Sequence, residues 1–343
     1  MLGLLLASAA AVAVAAAPAP APGKRDADAD FIARRSAPGV IRWFDFDSPA
    51  QLGVRGGSGN FGRFSNSGIA ANLPVIDYLV SASGAGSLRF DVVSQSFPDG
   101  AWFANFSPDL STRFGENSRF YVQWRQRFSQ SMVATIFEDV DGSDQQGIKQ
   151  FIVGPGDTAN RKWGSCEAIH IVTQTFWQRR IVIGYNSCTG SASHAAYSGF
   201  YTGDSDIKYQ NGTAPYCLRS DVRRATGAEA PPGCIGWVPD EWMTFQVEVS
   251  LGPRSRASDD FENSTYKLWV AREGKPSVLV IDWKPGVPGY FPLAAGPASE
   301  DQRFGKVWLL PYMTSKNPRQ VHPVAQTWYD ELIISTQRIP DPR

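Results

Sequence analysis

The chain has 343 residues, enough for one large β domain or two smaller domains. Its 33 lysines and arginines balance 33 aspartates and glutamates, so the formal net charge is zero and no overall basic field favours nucleic acid as a partner. Aromatic residues make up 12% of the chain beside 32 glycines and 24 prolines, which is typical of all-β proteins and argues against a helical one.

The N-terminal segment predicts secretion. Residues 1–17 form an apolar run that is too short to span a membrane and ends before Pro18, as in a signal peptide, although no Lys or Arg precedes the run. Residues 18–38 are of low complexity, and Lys24-Arg25 within them suits either a dibasic processing site or part of a plain flexible linker. We therefore expect a secreted, extracellular protein with no membrane contact, whose single domain covers residues 39–343.

The four cysteines lie in the middle third of the chain without Cys-x-x-Cys spacing, which fits structural disulfides in a secreted protein. Three pairings are possible, and we expect the sequential one because each bond would then close a local excursion of the chain. Glycosylation sequons begin at Asn105, Asn211 and Asn263, and they predict a glycoprotein if the source is a eukaryote. The expected pairs are Cys166–Cys188 and Cys217–Cys234.

Alternation of apolar and polar residues predicts strands along most of the chain after residue 39. No long amphipathic helical period and no internal repeat interrupts them, so the prediction is an all-β protein of two packed antiparallel sheets. A loop-rich stretch covers residues 186–240. The predicted strands are residues 40–46, 76–80, 87–93, 120–128, 132–137, 148–153, 168–174, 179–185, 242–250, 265–271, 278–282, 306–312 and 327–335.

The strand at residues 120–128 has two unlike faces. One face is apolar apart from Gln126, and it is suited to the core between two sheets. The other face is polar, and it suits either the solvated outside of a sandwich or the floor of a groove for an anionic polymer. The polar row consists of Tyr121, Gln123, Arg125 and Arg127.

Four segments, at residues 87–90, 120–128, 242–249 and 327–335, resemble the concanavalin A-like jelly roll of lectins and glucanases. Within that fold the chain resembles secreted polysaccharide lyases of the alginate, glucuronan and heparin type. The resemblance implies a concave sheet that carries basic and amide side chains, with a His and a Tyr for catalysis. The alginate-lyase pattern Gln-(Ile/Val)-His is absent, and Ile169-His170-Ile171 is its nearest counterpart.

A lyase of this kind would cleave an acidic polysaccharide by β-elimination. The enzyme must neutralise the uronate carboxylate, remove the C5 proton and protonate the leaving oxygen. Arg and Gln suit the first role, His or Tyr the second, and Tyr the third. We expect Arg125, Gln123 and Lys149 to hold the carboxylate, His170 to take the proton and Tyr312 to protonate the leaving oxygen. Further substrate-binding candidates are Arg127, Tyr121, Gln174, Tyr185, Trp163 and His322.

Two alternative functions remain open at this point. A glycoside hydrolase of this fold would need a Glu-x-Asp-x-x-Glu strand, and the nearest stretch, residues 138–144, lacks the second Glu. A lectin-like glycan binder would use exposed aromatic rings, which cluster in the middle third of the chain. Candidates for sugar stacking are Trp163, Trp177, Tyr185, Tyr197, Tyr201 and Tyr209.

No organic cofactor is expected, because the chain has no phosphate-binding glycine loop, no Gly-x-Ser-x-Gly elbow and no His-Glu-x-x-His motif. Ca²⁺ is the one candidate metal. Asp139, Asp141 and Asp144 crowd carboxylates around a turn, but they fall short of a full calcium-loop pattern, which favours a solvated acidic hairpin. We expect a monomer whose partner is the polysaccharide.

Overall fold

Strands dominate the part of the chain that the computed structural model describes, namely residues 22–56, 59–65, 67–144, 147–155, 170–176, 181–187, 206–207, 235–258, 260–287, 290–295 and 302–343. Residues 1–17, Trp163 and the four cysteines lie outside these ranges, so the signal peptide and the disulfides stay predictions. None of the described helices is long and apolar enough to cross a membrane.

Two α-helices and two 3-10 helices occur in the described ranges, the α-helices being α1 (Pro22–Arg35) and α2 (Gln130–Ala134), and the 3-10 helices Pro49–Leu52 and Ala70–Asn72. The strands are β1 (Val40–Phe44), β2 (Val54–Arg55), β3 (Phe61–Ser65), β4 (Val75–Asp77), β5 (Ser87–Val92), β6 (Gly100–Asn105), β7 (Arg119–Phe128), β8 (Gly147–Pro155), β9 (His170–Phe176), β10 (Ile181–Ser187), β11 (Asp206–Ile207), β12 (Met243–Ser250), β13 (Arg254–Ser255), β14 (Asp260–Phe261), β15 (Thr265–Ala271), β16 (Val278–Trp283), β17 (Leu293–Ala294), β18 (Phe304–Tyr312) and β19 (Ala325–Ser335).

The strands form two large sheets. Sheet A has the order β16-β15-β12-β7-β19-β5-β4, with β1 also paired to β19, and sheet B has the order β11-β10-β9-β8-β18-β6-β3-β2. A small third sheet contains β13, β14 and β17. Pairing is antiparallel except between β2 and β3. The predicted two-sheet antiparallel sandwich is therefore confirmed.

The core lies between sheets A and B. Phe120, Val122, Trp124 and Phe128 of β7 all point into it, as their alternation predicted. The Trp124 ring stacks on Phe151 of sheet B at 4.4 Å between centroids. Large aromatic side chains thus bridge the two sheets, and each such ring contributes about 1.5–3 kcal/mol by its burial.

Most predicted strands are present, and the exceptions have local causes. Residues 132–137 were expected to form a strand, but α2 covers their beginning because the Ser129 side chain caps it, accepting a hydrogen bond from the Met132 N–H at 3.0 Å. Strands β3 and β6 were not predicted. Strand β6 is buried at every position, so it has no polar alternation to reveal it.

Helix α1 shows that residues 22–35, within the expected low-complexity linker, are helical. It lies against the outer face of sheet A, where Phe31 is buried with Tyr121 of β7, Ile333 of β19 and Ile339 of the C-terminal tail. The amphipathic character of the helix is weak, because only one aromatic ring, Phe31, and one arginine, Arg34, anchor it to the sheet. Those two anchors are too few to produce a visible helical period.

Arg34 is the polar anchor of α1, and it is only 2% exposed. Its guanidinium donates to Asp30 at 2.8 Å, to the Gln123 side chain at 2.8 Å, and to the Glu331 carboxylate. Glu331 is an extra residue in β19 with a φ of 51°, at a register shift between Asp330 and Ile333. The bulge keeps Tyr329 and Leu332 in the core on either side of it.

We expect Arg34→Met to lower the free energy of unfolding by about 3–5 kcal/mol, because it leaves the buried Glu331 carboxylate without its partner. Urea denaturation measures the change. Arg35→Met is the matched control, since Arg35 is half-buried and pairs with Asp45 at 3.4 Å, and it should cost about 1 kcal/mol or less. Equal losses for the two variants would contradict the anchoring role of Arg34.

Candidate active site

Three predicted site residues lie side by side on adjacent strands of sheet B. Lys149 of β8 is the register partner of Tyr312 of β18 on one side and of Gln174 of β9 on the other. Strands β9, β8 and β18 are neighbours in the sheet order. The structure thus brings an amide, an ammonium and a phenol residue into one row across the sheet.

Both strands at the Lys149–Tyr312 pair are irregular. The register of β8 with β9 shifts between Lys149 and Phe151, and the register of β18 with β8 shifts between Leu309 and Tyr312. Pro311 lies in the second shift, and proline has no N–H with which to continue a ladder. These bulges turn the chain at the point where the two side chains meet.

The Lys149 ammonium nitrogen lies 4.6 Å from the centroid of the Tyr312 ring. Burial lowers the pKa of Lys149 from 10.5 to about 8. The Phe97 ring meets the Tyr312 ring edge-on at 5.6 Å and limits its movement. A half-buried cation beside a phenol is suited to binding a carboxylate and to stabilising a phenolate.

A cluster of buried apolar side chains lies beside this pair on the outer face of sheet B. Phe103, Trp308 and Leu310 form a cluster separate from the main core, and Tyr312 packs at its edge. The Lys306 ammonium lies 4.5 Å from the Phe103 ring. Aromatic and cationic groups therefore share this face of the sandwich with Lys149 and Tyr312.

His170 is in the same sheet but farther along. It is four residues from Gln174 on β9, which is roughly 13 Å at about 3.3 Å per residue. Its register partner is Ser187 of β10, the strand that also holds Tyr185. This spacing along β9 separates His170 from the row of Gln174, Lys149 and Tyr312.

The polar row of β7 is not part of this site. Strand β7 belongs to sheet A, so Gln123 and Arg125 cannot share a face with Lys149, and our expectation that all three hold one carboxylate is corrected. Gln123 is fully buried beneath the two ends of the chain. It accepts a hydrogen bond from Arg34 and donates one to the Pro340 carbonyl at 3.0 Å.

The remaining members of that row are also engaged. Arg125 is nine-tenths buried and lies 3.4 Å from Glu273 and 3.8 Å from Glu331. Arg127 pairs with Asp240 at 3.3 Å, and Tyr121 packs against Phe31. Helix α1 and the C-terminal tail thus cover Tyr121 and Gln123, while ion pairs engage Arg125 and Arg127, so the row is not a plain solvated face.

A cavity of about 390 Å³ remains beside Arg125 on this side of the sandwich. Its wall combines Thr244 with residues of the β15–β16 turn, among them Glu273 and Lys275. Both acidic and basic side chains line the cavity. One of the basic residues, Arg272, is paired with Glu241 by two hydrogen bonds. Such mixed charge selects no obvious ligand.

His322 is held in a loop rather than in the row across sheet B. Its ring nitrogen Nδ1 lies 2.7 Å from the Pro323 carbonyl, and its ring meets Phe137 at 5.0 Å. Burial lowers the pKa of His322, so the neutral imidazole donates from Nδ1. Lys316, fully buried nearby, donates to the Ser96 carbonyl at 3.0 Å and ties this loop to the turn that carries Phe97.

The candidate calcium residues do not converge. The Asp141 carboxylate accepts from the N–H and hydroxyl of Ser143 at 2.9 and 2.6 Å, as in a turn that satisfies itself. Asp139 and Asp144 occupy bridges on either side of that turn. Across the described ranges, no three acidic, histidine or cysteine side chains are placed to hold a metal ion.

Two elements of the site were missed by the sequence analysis. The edge contact from Phe97 lies in a loop and has no periodic signal. The buried amides Gln126 and Gln150, joined at 3.0 Å within the core, support the bulge of β8. Gln126 was visible as the one polar residue on the apolar face of its strand, and such an exception marks a buried partner.

Comparison with solved structures supports the fold. A PL-14 alginate lyase from Aplysia kurodai matches with a TM-score of 0.50 and 9% identity, over 87% of this chain and 99% of that one. A glucuronan lyase from Trichoderma reesei (TM-score 0.43, 9% identity, 87% and 96% coverage) and an alginate lyase from Chlorella virus (0.43, 12%, 86% and 99%) also match, but too loosely to carry an argument.

No protein-family model matches the chain, and a search of curated proteins finds no significant relative. At identities this low the likeness concerns the fold alone. The chain has a β-sandwich like that of these polysaccharide lyases, as the jelly-roll resemblance predicted.

We expect the pKa of Lys149 to affect stability in a defined pH window. The folded pKa is about 8 and the unfolded value is 10.5, so between these pH values the unfolded chain binds more protons and the free energy of unfolding rises with pH. Lys149→Met should therefore be stabilised relative to the wild type below pH 8, and the difference should shrink by pH 10.5. Urea denaturation across this range measures it, with Lys275→Met as an exposed control. A constant difference between the Lys149 variant and the wild type would contradict the lowered pKa.

Proposed function

We propose that the chain is a secreted polysaccharide lyase that cleaves a uronic-acid polymer by β-elimination on the outer face of sheet B. The single observation that carries this proposal is the Lys149–Tyr312 pair, with 4.6 Å between the ammonium nitrogen and the ring centroid. It supplies a cation for the substrate carboxylate and a phenol for proton transfer at the same point. The lyase-like sandwich is the second support.

The roles follow from what elimination requires. Lys149 neutralises the uronate carboxylate, which makes the C5 proton acidic, and the Gln174 residue beside it in register adds an amide. Tyr312, as a phenolate stabilised by Lys149, takes the C5 proton. The C5–H electrons form the C4–C5 double bond, the C4–O4 bond breaks, and the Tyr312 phenol returns the proton to O4.

We propose Tyr312 and not His170 as the base, because His170 lies four residues along β9 from Gln174, the register partner of Lys149. Four residues span roughly 13 Å at about 3.3 Å per residue. His170 would contact a neighbouring sugar of the bound polymer. His322 and the Lys316 loop would border the same end of the groove as Tyr312. No metal is needed for these steps, and Ca²⁺ has no assigned role in them.

The products of the reaction distinguish a lyase from a hydrolase and from a lectin. A lyase makes an unsaturated uronate that absorbs ultraviolet light, a hydrolase makes new reducing ends without that absorbance, and a lectin binds without cleaving. Alginate, glucuronan and heparin are the substrates to test first. Glycan binding with neither product would contradict the proposal and favour the lectin.

We expect Tyr312→Phe to lower kcat by at least about 100-fold while oligouronate binding persists, because the variant keeps the ring and loses the proton carrier. Lys149→Met should instead weaken binding as well as kcat. Ultraviolet absorbance measures the rate and calorimetry measures the binding. Tyr121→Phe on the outer face of sheet A is the matched control and should leave both unchanged.

The pH dependence gives a second readout of the same proposal. Substrate affinity should fall as pH rises through about 8, where Lys149 loses its charge, and Lys149→Arg should move that fall to higher pH. An affinity that does not change between pH 7 and pH 9 in both proteins would contradict the role of Lys149.

A further inference from the structure

Two register shifts interrupt the regular pairing of β8 and β18 at the Lys149–Tyr312 pair. A bulge places one extra residue in a strand, and a carbonyl at that residue loses its ladder partner. Gln150 is the extra residue of β8, and Leu310 precedes Pro311 in the shifted part of β18. A hydrogen bond to the carbonyl of either residue would hold the strand in its shifted register.

The hydroxyl of Tyr329 provides that hydrogen bond for both carbonyls. Tyr329 belongs to β19 in sheet A, is fully buried, and extends across the core to sheet B. Its oxygen lies 2.9 Å from the Gln150 carbonyl and 2.9 Å from the Leu310 carbonyl. One phenolic proton is thus shared between two bulges that belong to two different strands.

A second contact holds the β8 bulge from the same side. The Gln150 side-chain amide donates to the Gln126 side-chain carbonyl at 3.0 Å, and Gln126 in turn donates to the Thr327 hydroxyl at 2.9 Å. Gln126 is on β7 and Thr327 is on β19, so both supports come from sheet A. Side chains of sheet A therefore hold the backbone of sheet B at these bulges.

We propose that Tyr329 and Gln126 are positioning residues that fix the Lys149–Tyr312 pair by holding the bulges of β8 and β18 from across the core. The inference rests on the proposed function for its catalytic consequence, but the positioning itself is a property of the free protein. A one-residue slip of either strand would turn its side chain to the opposite face of the sheet. Tyr329 prevents that slip in both strands together.

The test is Tyr329→Phe, which removes one hydroxyl and keeps the ring in the core. In the free protein, NMR titration of Lys149, assigned by the loss of its signal in Lys149→Met, should show its pKa moving from about 8 up toward 10.5 as the ammonium leaves its buried place. In the uronate-cleavage assay, kcat should fall about 10- to 100-fold with KM changed by less than about threefold.

Tyr266→Phe is the matched control. Tyr266 is also fully buried and its hydroxyl also crosses the core, where it lies 2.8 Å from the Thr173 hydroxyl of β9. Its hydroxyl bonds the Thr173 side chain and not the Gln150 or Leu310 carbonyl, so its loss should leave the Lys149 titration unchanged. A Lys149 titration that is the same in Tyr329→Phe, Tyr266→Phe and the wild type would overturn the proposal.

The titration separates this inference from the lyase assignment. If no polysaccharide is cleaved but the Lys149 titration moves in Tyr329→Phe alone, the positioning is correct and the proposed function fails. If Tyr329→Phe does not fold, Gln150→Met removes the amide tie to Gln126 at similar side-chain length. That variant should move the Lys149 titration in the same direction, and an unmoved titration would contradict the proposal.

Discussion

The buried ion pair between Arg34 and Glu331 holds helix α1 against the outer face of sheet A. Arg34 reaches Asp30, Gln123 and Glu331 at once, so it fastens α1 over β7 and β19 where the C-terminal tail also lies. Burying these charges is costly unless every partner is present. The polar row of β7 is therefore structural, and the proposed site lies on sheet B.

Strand β19 of sheet A also contacts the bulges of sheet B. Strand β19 carries Glu331 outward to the helix and Tyr329 inward to the bulges, two residues apart. The Asp330 carboxylate between them accepts from the backbone N–H groups of Ala82 and Ser83, although burial and the neighbouring Glu331 raise its pKa. Strand β19 thus contacts helix α1, the loop at Ala82 and Ser83, and the bulge beside Lys149.

The positions of most strands along the sequence were predictable because most strands have one apolar and one polar face, as β7 does. Helix α1 was not, since its burial depends on Phe31 and Arg34 alone. Lys149, Gln174 and Tyr312 could be proposed as residue types, but alternation does not say which strands become neighbours. The polar row with Gln123 and Arg125 suited a groove floor for the same reason. Alternation could not show that Gln123 contacts the C-terminal tail or that Arg125 pairs with Glu273.

The central claim is that a uronate polymer binds the outer face of sheet B. Adding a short uronate oligosaccharide to isotope-labelled protein and following the backbone amide signals by NMR tests it most directly. The account predicts that the changes cluster in β8, β9 and β18 around Lys149 and Tyr312, and that β7 around Gln123 and Arg125 stays unchanged. Changes centred on β7 and α1, with none around Lys149, would contradict it.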